Sequence, residues 1–407
     1  MSLFVLCDWI CPYVIDTHLG HDDFWRPSME RNRIVSDVNE GNAMNRSQRI
    51  LPVYTGDVSG ACSALFELGG MVVIHDPSGC NSTYNTHDET RWYDHNSMIF
   101  ISALMERDAI LGNDNKLVDD VVDAALELKP RFIAICNSPI PFISGTDFPA
   151  LCKIIERRTN IPCLYVRTNG MHDYTVGAGR ALAEVAHRFV LPTKPREQVA
   201  NILGATPLDF CEPGAVDRLR AFVGDAGFEL LSCWAMGSTL DELMRSGEAA
   251  VNLVVSSVGI PVARLLRERF GTPYVVGVPI DGFAVPLADV LTRAAKTGEC
   301  LLPTRDARVQ GEATCYVVGE PVAATSRAAA LEIAAGEPVR AVCAVESAFD
   351  LLGPIDVRAD GEEEVEQALT NASTVYADKL YAPVCPASAR LMPLPHLAFS
   401  GRQALAR

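Results

Sequence analysis

Three cysteines stand where a thiolate could serve as a ligand: Cys62, Cys80 and Cys136. Cys62 follows a run of small turn-forming residues, Gly56, Asp57, Ser59 and Gly60. A short helix-like patch and Gly69-Gly70 then lead into an apolar strand, 71–74, which ends in His75-Asp76-Pro77-Ser78-Gly79-Cys80. Cys136 ends a second apolar strand, 132–135. Both segments read as strand followed by turn, and loops at the carboxyl ends of parallel strands are where open α/β sheets bind ligands. Three thiols delivered to one sheet edge suit a metal cluster better than a core. Thiolates are the usual ligands of iron in iron–sulfur clusters, and nearby N–H groups such as those around Ser78-Gly79 and Asn137-Ser138 tune such centres. Structural zinc draws short paired spacings such as CxxC, and none of the three cysteines has one.

Thirteen cysteines is a high count. Cys163, Cys233, Cys315 and Cys343 lie inside apolar segments and read as small buried hydrophobes. Cys152 falls in an expected helix. Cys7 and Cys11 lack partner ligands and carry no site. After Cys80 comes a group of aromatic and basic residues, Tyr84, His87, Arg91, Trp92, Tyr93 and His95. His87 and His95 are candidates for lining a substrate cavity or supplying protons. His75 is placed to hydrogen-bond near a cluster sulfur. No Walker A glycine loop, GxSxG elbow or HExxH zinc motif is present. Gly177-Ala178-Gly179 sits inside a helical pattern after a loop, which rules it out as a dinucleotide fingerprint.

The elements that must position these residues alternate strand and helix. Asn115–Leu128 carries an apolar stripe at helical spacing. Strand 131–136 follows, then helix 147–158, strand 161–167 and helix 174–189. This is βαβ logic, an α/β fold with parallel sheets flanked by helices. The chain of 407 residues is too long for one core. Residues 1–43 read as an N-terminal extension, 44–195 as a first α/β domain carrying the cysteines, 196–285 as a second and 286–407 as a third. A proline-marked linker, Pro192 to Pro213, is expected before the helices of the second unit. Glu362, Glu363 and Glu364 belong to the first turn of a helix, where the helix dipole accounts for them. The net charge of −16 leaves no basic footprint for nucleic acid. No apolar run approaches the roughly 18–20 residues that cross a bilayer. With no signal-peptide pattern, the reducing cytoplasm is the expected compartment.

The ordered motifs GAC, HDPSGC, ERDAILGNDNKL and AICNSPIPFISGTD resemble the nitrogenase component 1 family. It comprises nitrogenase catalytic subunits and their assembly scaffolds, dark-operative protochlorophyllide reductase and tetrapyrrole reductive cyclases. The resemblance covers roughly residues 50–400 and is specific in the first third. It implies three Rossmann-like units and an iron–sulfur cluster, [4Fe–4S] in type, held by Cys62, Cys80 and Cys136 where two component 1 subunits meet. Three cysteines leave one ligand to be found, and Asp57, a water or another subunit's residue could supply it; Asp57 reads first as a turn residue. The resemblance further implies an oxidoreductase fed by an iron-protein-like P-loop ATPase, with a second component 1-type subunit in a homo- or hetero-oligomer and a small-molecule substrate. It places the loop from Glu106 to Lys116 near the docking face. A later cysteine that anchors the large cofactor of nitrogenase proper aligns with Ser256 or Ser257. His396 does not match the second anchor in its sequence setting. Dinitrogen reduction on an iron–molybdenum cofactor is therefore not expected. The alternatives are a non-catalytic assembly scaffold for a metallocluster or cofactor, or a module that binds a tetrapyrrole or metal.

Overall fold

The computed structural model describes residues 48–77, 89–93, 95–306, 308–346 and 349–401. The expected extension 1–43, Cys80 and His87 lie outside the described residues. Three all-parallel sheets follow one another along the chain. The first contains β1 (Met71–His75), β2 (Met98–Ile101), β3 (Ile133–Asn137) and β4 (Cys163–Val166), in the order β2-β1-β3-β4. The second has β5 (Arg196–Leu203), β6 (Glu229–Cys233), β7 (Ala249–Val254) and β8 (Tyr274–Val276), in the order β6-β5-β7-β8. The third has β9 (Cys315–Val318), β10 (Val339–Cys343), β11 (Val357–Arg358), β12 (Thr374–Ala377) and β13 (Arg390–Pro393), in the order β11-β10-β9-β12-β13. In each sheet the first strand in sequence has neighbours reached in opposite directions. This creates a topological switch point between β1 and β3, between β5 and β7, and between β9 and β12. Crevices outside the carboxyl ends of such strands are the favoured ligand positions of open α/β sheets.

The first sheet is buried on both faces, as parallel sheets are. Val72, Ile74, Ala134, Cys136, Leu164 and Val166 face one core, shared with helices α1 (Asp57–Leu65) and α6 (Tyr174–Phe189). Met71, Val73, Ile133 and Ile135 face the other, built with α3 (Asn115–Leu128) and α5 (Phe148–Thr159). Between β2 and α3 lies α2 (Glu106–Leu111), and between β3 and α5 lies α4 (Pro139–Ser144). The α1 and α6 backbones nearly touch. A Cβ on Gly177 would sit 1.8 Å from the Asp57 carbonyl oxygen, and one on Gly60 would sit 2.3 Å from that of Tyr174. The glycines at 177 and 179 thus serve helix packing, with Gly179 against Pro261.

One expectation needs correction. The stretch between Pro192 and Pro213 is not a linker throughout, because it contains β5, a central strand of the second sheet. Its polar centre, Asn201, disguises it. That side chain is buried but satisfied: its Nδ2 donates to the Ser246 carbonyl at 3.0 Å and to Asn252 Oδ1 at 2.8 Å, and its Oδ1 accepts from Ser232 Oγ at 2.7 Å. Glu362, Glu363 and Glu364 lie in the first turn of the helix Glu362–Ala368, as expected, and Glu362 has a further role. Its Oε2 accepts the N–H groups of Arg49, Ile50 and Leu51 at 2.7–3.0 Å, tying the start of the described chain to the third sheet. Among the described residues no helix is long and apolar enough to cross a membrane.

Candidate metal centre

Cys62 does not sit on a turn. It lies in the interior of α1, fully buried. The small residues before it are small because α1 is pressed against α6. Cys136 is the penultimate residue of β3, also fully buried, and its side shares a core with Cys62. The two thiols meet. Burial, then the hydrogen bond and proximity of Cys136, push the Cys62 thiol well above the ordinary range. Ser138 follows on extended backbone, two residues on and therefore on the Cys136 side of the strand. Its hydroxyl is buried and has no hydrogen-bond partner among the described residues. Two converging thiols fit part of the ligand set of an iron–sulfur cluster, whose sulfurs accept hydrogen bonds of the kind that a hydroxyl such as that of Ser138 can donate. The described residues alone contain no group of three or more His, Cys, Asp or Glu side chains able to hold a metal; Cys80 lies outside them.

Asp57 is engaged elsewhere. It precedes Cys62 by five residues on the same helix, roughly 140° around and about 7.5 Å along the axis. Its Oδ2 accepts the Asn169 N–H and its Oδ1 the Gly170 N–H, both at 2.9 Å. Burial raises this carboxyl to about 6 against the pull of those two bonds. The position fits a helix-start residue that pins the turn after β4.

His75 also departs from expectation. It pairs in register with Asn137, so its side chain leaves the sheet on the face opposite Cys136. There its Nδ1 lies 2.8 Å from Ser102 Oγ and its ring packs edge-on against Phe148. Burial, then Lys116, lowers it to about 4, so it is neutral at physiological pH. His95 is separated from the cysteines too. It precedes β2, whose Met98 is level with Ile133, whereas Cys136 is level with Ile74 and Ile101. Three residues of strand put it at least about 10 Å toward the opposite edge of the sheet. There, exposed, it lines an open cleft of about 450 Å³ with Glu67, Gly237 and Glu242. Arg91 is buried in an ion-pair network with Glu89 and Glu67.

A second polar centre lies where the three sheets meet. Asp209 follows β5, Ser256 follows β7, His396 follows β13 and Tyr174 opens α6. Asp209 Oδ1 accepts from Tyr174 OH at 2.5 Å, and Oδ2 accepts from Ser256 Oγ at 2.7 Å and Thr206 Oγ1 at 3.2 Å. His396 Nε2 lies 3.1 Å from Asp209 Oδ1 and 3.2 Å from Tyr174 OH. Glu320 follows β9 and caps the helix Pro321–Ala335 through the Ala323 N–H, while its other oxygen accepts the Ser257 N–H. Burial, then Asp209, raises Glu320 to about 7. His396 and Ser256 therefore share one carboxylate, a relation that the sequence setting of His396 conceals.

The family model for nitrogenase component 1 type oxidoreductases matches residues 57–286. The nitrogenase iron-molybdenum cofactor biosynthesis protein NifE of Bradyrhizobium diazoefficiens is 23% identical over 270 residues, 63% of this chain and 48% of that protein. The nitrogenase molybdenum-iron protein alpha chain of Azospirillum brasilense is 27% identical over 221 residues, 50% of this chain and 45% of its own length. A light-independent protochlorophyllide reductase polypeptide of Nostoc punctiforme is 24% identical over 44% of this chain and 38% of its own. The chain thus spans about half the length, or less, of these relatives. The solved structure of nitrogenase Cp1 at pH 5 shares the fold, with a TM-score of 0.59 at 14% identity over 88% of this chain and 86% of that one.

Proposed function

Because the chain belongs to the nitrogenase component 1 type oxidoreductases, we propose that it is a redox subunit of that type, with Cys62, Cys80 and Cys136 holding an iron–sulfur cluster. The observation that carries this is the meeting of the Cys62 and Cys136 thiols in one buried position. When bound, such a cluster supplies one-electron transfer. The chain's own contribution is to hold it with soft ligands, bury it from water and dioxygen, and offer the Ser138 hydroxyl to its sulfurs.

Electrons would come from an iron-protein-like ATPase, since this sequence has no phosphate-cradling loop. They would pass to a small molecule bound between the α/β units, outside the carboxyl ends of their strands. The ATPase would dock on the apolar face of α2 and α4, which expose Ile110, Leu111, Phe142 and Ile143, and a second component 1-type subunit would meet the chain at the Cys62 and Cys80 segments. Large exposed apolar patches of this kind mark protein interfaces.

Anaerobically purified protein should be brown and carry close to four iron and four sulfide per site. Turnover should require the reductase and ATP. Colourless, iron-free protein after anaerobic reconstitution would sink the reading.

The alternative is an assembly scaffold, and Ser256 favours it. Its hydroxyl is bound to Asp209, so the position offers no soft ligand to a resident large cofactor. Release of a transferable metallocluster without ATP-dependent turnover would decide for the scaffold.

A further inference from the structure

We propose that Arg91 is a positioning residue of the cluster cavity: it locks the helix carrying Cys62 to the turn 235–237 of the second sheet, so that cluster occupancy is felt there. This rests on the reading of Cys62, Cys80 and Cys136 as ligands.

The guanidinium is almost wholly buried and uses all its donors. Its Nε donates to Glu89 Oε1 at 2.8 Å. Nη1 donates to Glu67 Oε1 at 2.8 Å and to the Ala235 carbonyl at 3.1 Å. Nη2 donates to the Ser63 carbonyl at 2.6 Å and to Glu89 Oε2 at 2.8 Å. Ser63 is the residue after Cys62, and its own hydroxyl donates to Glu89 Oε2 at 3.0 Å. The charge of Glu89 reaches the Cys62 thiol. Phe66, one turn beyond Cys62, lies with its ring 4.6 Å from the guanidinium carbon. One side chain therefore grips the C-terminal end of the helix, one and four residues beyond a ligand position.

The grip extends outward. Glu67 takes Arg91 on one oxygen and the Gly237 N–H on the other at 2.7 Å. The turn it holds is strained. Ala235 has φ 84°, where a side chain is disfavoured, and Gly237 has φ 86°. A Cβ on Gly237 would come within 2.8 Å of Val216. Backbone in such conformations persists only while its surroundings hold it. A shift of α1 on loading or losing a cluster would be passed through Glu67 and the Ala235 carbonyl to this turn. Lysine cannot replace the fork, because a point charge with three donors does not span five acceptor positions in a plane.

The test compares Arg91→Lys, Glu67→Gln and the wild type, each with and without iron, by iron content, the electron paramagnetic resonance of the reduced state, and hydrogen exchange at residues 234–238. In the wild type, stripping iron should speed exchange there several-fold. Arg91→Lys should hold less than half the wild-type iron, with an altered resonance and no iron-dependent exchange. Glu67→Gln should keep its iron but lose the exchange response. Arg91→Lys with full iron, unchanged resonance and an intact response overturns the proposal. Should that variant fail to fold, an intact response in Glu67→Gln overturns it alone. Cys62→Ala separates the two levels: full iron in that variant defeats the ligand reading itself, whereas iron loss there with a wild-type-like Arg91→Lys defeats only the role of Arg91.

Discussion

The thiol pair in the first sheet and the polar junction between the three sheets are both buried, yet they are built in opposite ways. Around Cys62 and Cys136 the groups are soft, and the neighbouring Ser138 hydroxyl finds no partner among the described residues. Around Asp209 every oxygen is spoken for, by Tyr174, Ser256, Thr206 and His396 drawn from all three units. A buried polar atom without a partner is costly unless something arrives to meet it, whereas a saturated network stabilises as it stands. The first region thus keeps a buried hydroxyl without a partner among the described residues. In the second, Asp209 is fully bonded and acts as the point where three units are tied.

That contrast can be broken experimentally. Replacing Cys62 or Cys136 by Ala should abolish most bound iron, and should shift the melting temperature little from that of the iron-free wild type, because a small buried hydrophobe replaces another. Retained iron would erase the distinction. At the junction the order reverses. Asp209→Ala leaves Ser256 without its acceptor and Tyr174 and His396 with only each other, and should cost about 3 kcal/mol, with iron content per folded molecule unchanged. Chemical denaturation monitored beside iron analysis reads both. Gly177→Ala belongs between these cases. Its methyl group would meet the Asp57 carbonyl, so α1 must move, and both stability and iron should fall together. Iron loss without destabilisation, or the converse, would show that α1 position and cluster retention are not linked.

Much of the scaffold is legible in the sequence. The expected helices at 115–128 and 174–189 coincide with α3 and α6; the apolar stripe of the first is a local signal, and the second is buried over most of its length. Strand β5 is not legible, since three exposed polar residues open it and Asn201 sits in its middle. Its strand character comes from partners in β6 and β7, which no window of sequence contains. The same holds at the site. Cys62 resembles a turn residue because glycine, serine and alanine surround it. Those small residues instead record the contact of two helix backbones, with Gly60 answering Tyr174 and Asp57 answering Gly177. Cys136 can be read from its strand. The Glu67–Arg91–Ala235 bridge and the sharing of Asp209 by Ser256 and His396 join residues far apart in the chain, and charge type alone does not announce them.

The smallest expected effect sharpens the comparison from the side of the junction. Glu320 lies fully buried there beside Asp209, and its carboxyl is raised from 4.5 to about 7. Burial is the larger cause and the neighbouring carboxylate the second; the N–H groups of Ala323 and Ser257 pull the other way. Between these two values the folded chain binds a proton that the unfolded chain has released. Stability must therefore fall as pH rises through this window, since it falls wherever the native state holds more protons. Above about pH 7 the loss is complete. Glu320→Gln keeps a carbonyl oxygen for one of the N–H donors and removes the charge. It should melt close to the wild type at pH 4.5 and higher than the wild type at pH 8, by roughly 2 °C. Asp57 is raised in the same direction, so both proteins retain some downward slope, and the difference between their curves isolates Glu320. Parallel curves from pH 4.5 to 8 would mean that Glu320 is ionised at little cost, and that the junction is held more openly than its hydrogen bonds imply.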